Sequence, residues 1–138
     1  MKELVEFIES NEVDYTSRTI DIETIHKAES LIGISFGKQM IEYLSKYGYL
    51  GFEYSELYGM NSNQGLDSDM ITQTLYLHKY YPQTQKYIAL ENQGEGDYFI
   101  VDADDKVYEF DSQLMELSEL NISLFEYILE RFQEIKNS

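Results

Sequence analysis

The sequence predicts a single α+β domain in which an antiparallel sheet is packed against several helices. Three observations lead there. Segments with apolar residues at helical spacing occupy both ends and the middle of the chain, whereas residues 87–110 read as three apolar runs separated by Gly- and Asp-rich turns. Segregated helices and hairpin-linked strands are the pattern of an α+β fold rather than of an alternating parallel one. The chain has 138 residues, one domain's worth and enough to bury a core without staples. With no cysteine, one proline and 8 glycines, it has neither a disulfide framework nor the composition of a disordered chain.

The elements follow in order. In residues 2–10, Leu4, Phe7 and Ile8 fall on one helical face. Residues 11–19 lack a period and read as a connector. A second helix starts at Asp21, an N-cap residue, with Glu23 near the positive end of the dipole. Ile22, Ile25, Ala28 or Glu29, and Ile32 make its stripe, and Gly33 ends it. A third runs over about 38–47 on Met40, Tyr43, Leu44 and Tyr47, with Gly48 as its C-terminal glycine. Two short aromatic strands are predicted at 49–52 and 55–58, then a loop over 59–68. A fourth helix spans 69–80 with Met70, Thr74, Leu77 and Tyr81 on one face, and Pro82 stops it. The spacing predicts an antiparallel meander of strands at 87–90, 97–101 and 106–110, the middle one apolar on both faces and therefore central. Gly94-Glu95-Gly96 and Asp102-Ala103-Asp104-Asp105 supply the turns. In the last helix, Ser123 and Glu126 form a capping box, Ile122 and Tyr127 a hydrophobic staple, and Phe125, Leu129, Phe132 and Ile135 continue the period. Ile25, Leu44, Ile100 and Phe125 are expected in the core.

Charge narrows the function. Twenty-six acids against 10 bases give −16 at pH 7. Such a chain repels phosphate backbones and anionic lipid surfaces, so neither nucleic acid nor membrane is an expected partner. Glu3, Glu6, Glu9 and Glu12 interrupt the first apolar positions, which is unlike a signal peptide, and no run approaches the ~20 apolar residues of a membrane span. The expectation is a soluble, cytoplasmic protein.

Catalytic and metal motifs are not found. The run beginning at Asp102 opens like a calcium loop, but positions 5, 6 and 12 are Lys106, Val107 and Gln113 in place of an oxygen ligand, Gly and Glu. A second alternation, Asn61, Asn63, Asp67 and Asp69, has Thr72 at its twelfth position. His26 reads as a solvated residue near Glu23 and Glu29, and His78 as half-buried; no second histidine stands four residues from either. No serine sits on a strand–turn–helix elbow. Gly94-Glu95-Gly96 precedes a strand rather than a helix, so it is a hairpin turn and not a phosphate cradle. No cofactor, metal site or catalytic residue is expected.

What remains is acid beside tyrosine. Between Glu91 and Glu119 there are ten acids and one base, Lys106. Tyrosine offers a large rigid contact at low entropic cost and is enriched at binding hot spots. Composition therefore nominates Glu53, Tyr54, Glu56, Tyr58, Asp102, Asp104, Asp105 and Tyr108 as partner-binding residues, with a basic protein domain as the partner.

The order of elements resembles the SUKH superfamily, which includes the Smi/Knr regulators of fungal cell-wall assembly. Three segments carry the resemblance: Ile25, Ala28-Glu29, Leu31, Gly33, Phe36, Tyr43-Leu44 and Tyr47-Gly48; then Gly96-Asp97 leading a strand and hairpin to Val107-Tyr108; then the helix start Ser123-Leu124-Phe125. The proline that opens a helix in that family is Gly37 here, and its sheet tryptophan has no counterpart. The resemblance implies an α+β domain without catalytic activity. For bacterial members it implies an immunity protein that binds and neutralises a toxin domain, of nuclease or deaminase type. The alternative is a regulatory interaction domain of the same fold with a non-toxin partner; an enzyme or metal protein is the third reading.

Overall fold

Each helix forms where its apolar spacing places it. The computed structural model describes residues 1–16, 18–60 and 66–138. Helices α1 (Lys2–Ser10), α2 (Ile22–Ile32), α3 (Lys38–Tyr47), α4 (Met70–Tyr80) and α5 (Leu124–Lys136) bury the predicted stripes, including Leu4, Ile25, Leu44, Leu77 and Phe125. Ile22 is the exception: in the first turn of α2, it lies 50% exposed. The caps match local chemistry. Asp21 accepts from the Thr24 N–H, Asp69 from the Thr72 N–H, and Ser123 and Glu126 form the reciprocal capping box. Among the described residues no helix is long and apolar enough to cross a membrane.

The sheet is a four-stranded antiparallel meander, β3 (Ile88–Asn92), β4 (Asp97–Val101), β5 (Lys106–Asp111) and β6 (Glu116–Ser123), in that spatial order. β4 is central, as predicted, with Ile100 and Val101 buried. β6 adds a fourth strand to the three predicted. Its sequence hides it: Leu117 falls on one parity and Leu120 and Ile122 on the other, because the register against β5 shifts between Lys106 and Tyr108, so no period of two survives. The aromatic hairpin is shorter than predicted, β1 (Gly51–Phe52) and β2 (Ser55–Glu56), with Tyr49, Leu50, Leu57 and Tyr58 buried just outside the ladder. It docks against the outer edge of β3, where the Tyr58 N–H donates to the Leu90 carbonyl at 2.6 Å.

α5 lies on the face that carries Phe99, stacking Tyr127 on that ring at 5.3 Å. The other face, carrying Tyr108 and Phe110, is covered by the segment after α4: Tyr81 meets Phe110 and Tyr87 meets Tyr108 edge-on. His26 is exposed and paired with Glu29 at 2.6 Å, and half-buried His78 meets the Tyr87 carbonyl at 2.8 Å. Asn61 and Asn63 of the second calcium-like pattern lie outside the described residues.

One carboxylate ties the layers together. α3 starts at Gly37, which has no side chain to cap it, and no acid lies in its first turn. Asp105, from the β4–β5 turn, supplies the cap: its oxygens accept from the Gln39 and Met40 N–H groups, both at 2.9 Å. Gly37 is what lets it in, since a Cβ there would collide with the Asp105 carboxylate. The Asp105 carbonyl accepts from the Leu124 N–H at 2.8 Å, and the Gln39 side chain accepts from the Phe125 N–H at 2.9 Å. The N-termini of α3 and α5 thus close on one hairpin tip.

Asp105 sits at φ 64°, so Asp105→Ala is expected to lower the unfolding free energy by about 2–3 kcal/mol, about 1–2 from the lost cap and roughly 1 from alanine held at positive φ. Gly37→Ala should reproduce much of that loss. Both would be read as a lower urea midpoint at unchanged slope; unmoved midpoints would show that the contact contributes nothing.

Candidate functional site

The eight residues nominated from composition do not gather into one patch. Tyr58 and Asp105 are buried at 7% exposure each, so both are corrections: burial pushes the Tyr58 phenol upward, and Asp105 is spent on α3. Asp102 folds back on its own turn, its Oδ1 accepting from the Asp104 and Lys106 N–H groups, and its Oδ2 accepts from the Tyr108 hydroxyl at 3.4 Å. That places Asp102, Asp104 and half-buried Tyr108 at the end of the sheet beside the start of α5. Glu53, Tyr54 and Glu56 sit at the β1–β2 hairpin, where Tyr54 is 69% exposed beneath Arg131. Leu124, which Asp105 holds, and Arg131 are about 10 Å apart along α5 at ~1.5 Å per residue.

Tyr54 lines a hollow with Phe52, Ile135 and Lys136, while Arg131, which covers its ring, belongs to a separate groove between α5 and the sheet. That groove has a volume of about 340 Å³ and is lined by Gln93, Phe99, Leu120, Ile122, Tyr127, Glu130, Arg131 and Glu134. A buried carboxylate fixes its wall. Glu91, 2% exposed, accepts from the Tyr127 hydroxyl at 2.6 Å, the Ser55 hydroxyl at 2.8 Å and the Arg131 guanidinium at 3.1–3.2 Å. Every lone pair that burial strips of water finds a donor, which is what makes a buried charge tolerable. Burial and the neighbouring Glu91 carboxylate push the Tyr127 phenol upward, so it stays a donor. Arg131, the one base lining the groove among the described residues, is thereby committed internally while its planar group covers the Tyr54 ring at 5.7 Å.

Beyond the groove the same face turns acidic. Cross-strand register aligns Asp97 with Asp111 and Asp111 with Glu116, so three acids form one row over three strands. Glu109, the partner of Phe99, stands in the next row. Like charges directly opposite on a sheet destabilise it, as do like charges four apart on a helix, the spacing of Glu130 and Glu134. The crowding shows in protonation. A hydrogen bond to Asp97, partial burial and the charges of Asp97 and Asp111 push Glu109 from its ordinary 4.5 up to about 7. Among the described residues no three His, Asp or Glu side chains are gathered so as to hold a metal ion, and no nucleophile–base pair lines the groove. The arrangement is suited to recognising a cation. The sequence reading passed over Asp97, Glu109, Asp111, Glu116, Glu130 and Glu134; only the i, i+4 stripe of the last two was visible without the register.

Two outcomes follow. Arg131→Ala should cost about 3 kcal/mol by leaving Glu91 buried with its charge unpaired, and Glu91→Gln in the same chain should recover part of it in a double-mutant cycle. Because the folded pKa of Glu109 lies above its unfolded value, the native state holds the extra proton between about pH 4.5 and 7. Stability should therefore fall as pH rises through that window. In Glu109→Gln that component should vanish; identical pH profiles of the urea midpoint in the two proteins would refute the assignment.

Comparison with known proteins agrees with this architecture. No curated protein matches the chain. Among solved structures, a protein from Pseudomonas syringae pv. tomato matches with a TM-score of 0.69 at 19% identity, covering 94% of this chain and 99% of its own; at that identity it shows the fold. The family model SUKH_5, described as "SMI1-KNR4 cell-wall", matches residues 1–133. With nearly the whole length matched and the α+β fold in place, the chain belongs to the SUKH_5 (SMI1-KNR4) family of the SUKH superfamily.

Proposed function

We propose that this chain is a non-catalytic immunity protein that binds and neutralises a basic toxin domain, of nuclease or deaminase type, through the acidic face beside α5. Family membership supports a protein-interaction or immunity-type domain in general terms. The observation that carries the finer reading is the row Asp97–Asp111–Glu116, with Glu109 beside it and Glu130 and Glu134 across the groove. Such crowding costs stability, a cost commonly found where a site serves function. A nuclease cleft is lined with bases that hold phosphates, so a surface presenting carboxylates at close spacing competes for the same groups. Tyr54, exposed beneath the Arg131 guanidinium, is the aromatic anchor. Glu53 and Glu56 flank it, and Asp102 and Asp104 add to the long-range field that steers a basic partner.

The test screens the products of genes adjacent to this one for a toxic domain that the chain binds. Co-expression should relieve its toxicity. Asp97→Asn, Asp111→Asn and Glu116→Gln combined should slow association about tenfold and flatten its salt dependence, because peripheral charges act on the encounter rate. Tyr54→Ala should act on dissociation, shortening the complex lifetime by about tenfold or more. Association kinetics indifferent to salt between ~50 and ~500 mM would overturn electrostatic capture, since screening grows severalfold over that range. A complex that forms without relief of toxicity would overturn neutralisation and leave a protein-interaction role standing.

A further inference from the structure

The sheet has two edges, and they are treated differently. The edge at β3 is closed by the Tyr58 N–H on Leu90 and by the Thr74 hydroxyl, which accepts from the Ala89 N–H at 2.9 Å. The edge at β6 is open: β6 pairs with β5 alone. Among the described residues no element other than β5 hydrogen-bonds the backbone of residues 116–122. Natural sheets blunt such an edge with charged side chains, Lys above all, with Pro, shortness or a bulge. The charges β6 carries are the acids Glu116 and Glu119, which repel another acidic strand and admit a basic one. β6 has no Lys or Pro, is the longest strand of the sheet at 8 residues, and confines its irregularity to the stretch after Glu119. Residues 116–119 are regularly paired with β5 and exposed.

The two faces of this edge differ. On the α5 face, Glu116 and Ser118 continue the rows of Asp111 and Glu109. On the other, Leu117 is 38% exposed beside Phe110, which Tyr81 covers at 5.3 Å, and Glu119 closes the apolar stretch. A strand added here would set alternate side chains against carboxylates and against an aromatic–aliphatic surface. A second copy of this chain does not fit. Pairing two β6 strands about a twofold axis brings Glu116 and Glu119 of both copies onto one short ladder, in a chain of net charge −16.

We propose that the partner adds an extended segment to the free edge of β6, with Lys or Arg on its side facing Glu116 and apolar residues on its side facing Leu117. Main-chain hydrogen bonds would supply affinity and the two-faced edge specificity. The proposal rests on the reading that the partner is a basic protein, and it specifies the backbone geometry of its capture.

Residue-resolved amide exchange of the full chain tests it, using acetyl-KVKVKVKV-amide as probe and acetyl-EVEVEVEV-amide as control. Alternate amides between Glu116 and Glu119 are expected to exchange about tenfold more slowly at a basic-peptide concentration ten times Kd. The acidic peptide should leave them unchanged, and E116K/E119K, both solvent-exposed changes, should abolish the effect. Protection confined to the α5 groove, with β6 amides unaltered, would overturn strand addition and leave the basic-partner reading standing. No binding of the basic peptide at ~50 mM salt would overturn both.

Discussion

The Asp105 carboxylate at the start of α3 is the contact on which the arrangement of layers depends. It spans more than sixty residues of sequence, |i−j| being 65 and 66 for its two bonds. A short helix in water is marginal by itself, and most of its stability comes from tertiary contact. α3 takes that dependence to its N-terminus, because its own cap position is glycine and its first turn holds no acid. The hairpin tip that caps α3 also holds Leu124, and Gln39 reaches across to Phe125. Helical layer and sheet are thus fixed by the same few hydrogen bonds, and α5 is aimed along the sheet from a defined point.

Farther along α5 a second buried carboxylate completes the clamp. Glu91 joins the β1–β2 hairpin through Ser55 and α5 through Tyr127 and Arg131. The two interior acids share a solution. Asp105 meets backbone N–H groups at a helix N-terminus, and Glu91 meets hydroxyls and a guanidinium, so neither is left uncompensated in a low-dielectric interior. The exterior acids near the free edge are left crowded, and Glu109 relieves the crowding by keeping a proton. A cation brought to that face would supply the compensation the protein itself withholds.

Much of this was readable before any tertiary information. Helical spacing located five helices, and Ser123 with Glu126 announced the last of them. The Gly and Asp turns placed three strands of the meander, because turn chemistry and periodicity act over neighbouring residues. The acidic character of this stretch was legible too, in ten acids against one base between Glu91 and Glu119.

Tertiary structure alone decided which acids do what. Asp104 and Asp105 are adjacent and chemically alike, yet one is exposed and the other caps a helix, because Gly37 opens a space that only the folded chain brings near. Composition nominates Tyr54 and Tyr58 alike as binding residues; the hairpin turn exposes the first and docking on β3 buries the second. The acidic row exists because antiparallel register carries Asp97, Asp111 and Glu116, spread over twenty residues, to one line on one face. The sequence determined the elements and the charge. Register and long-range capping, which are relations between distant segments, determined where that charge meets the surroundings.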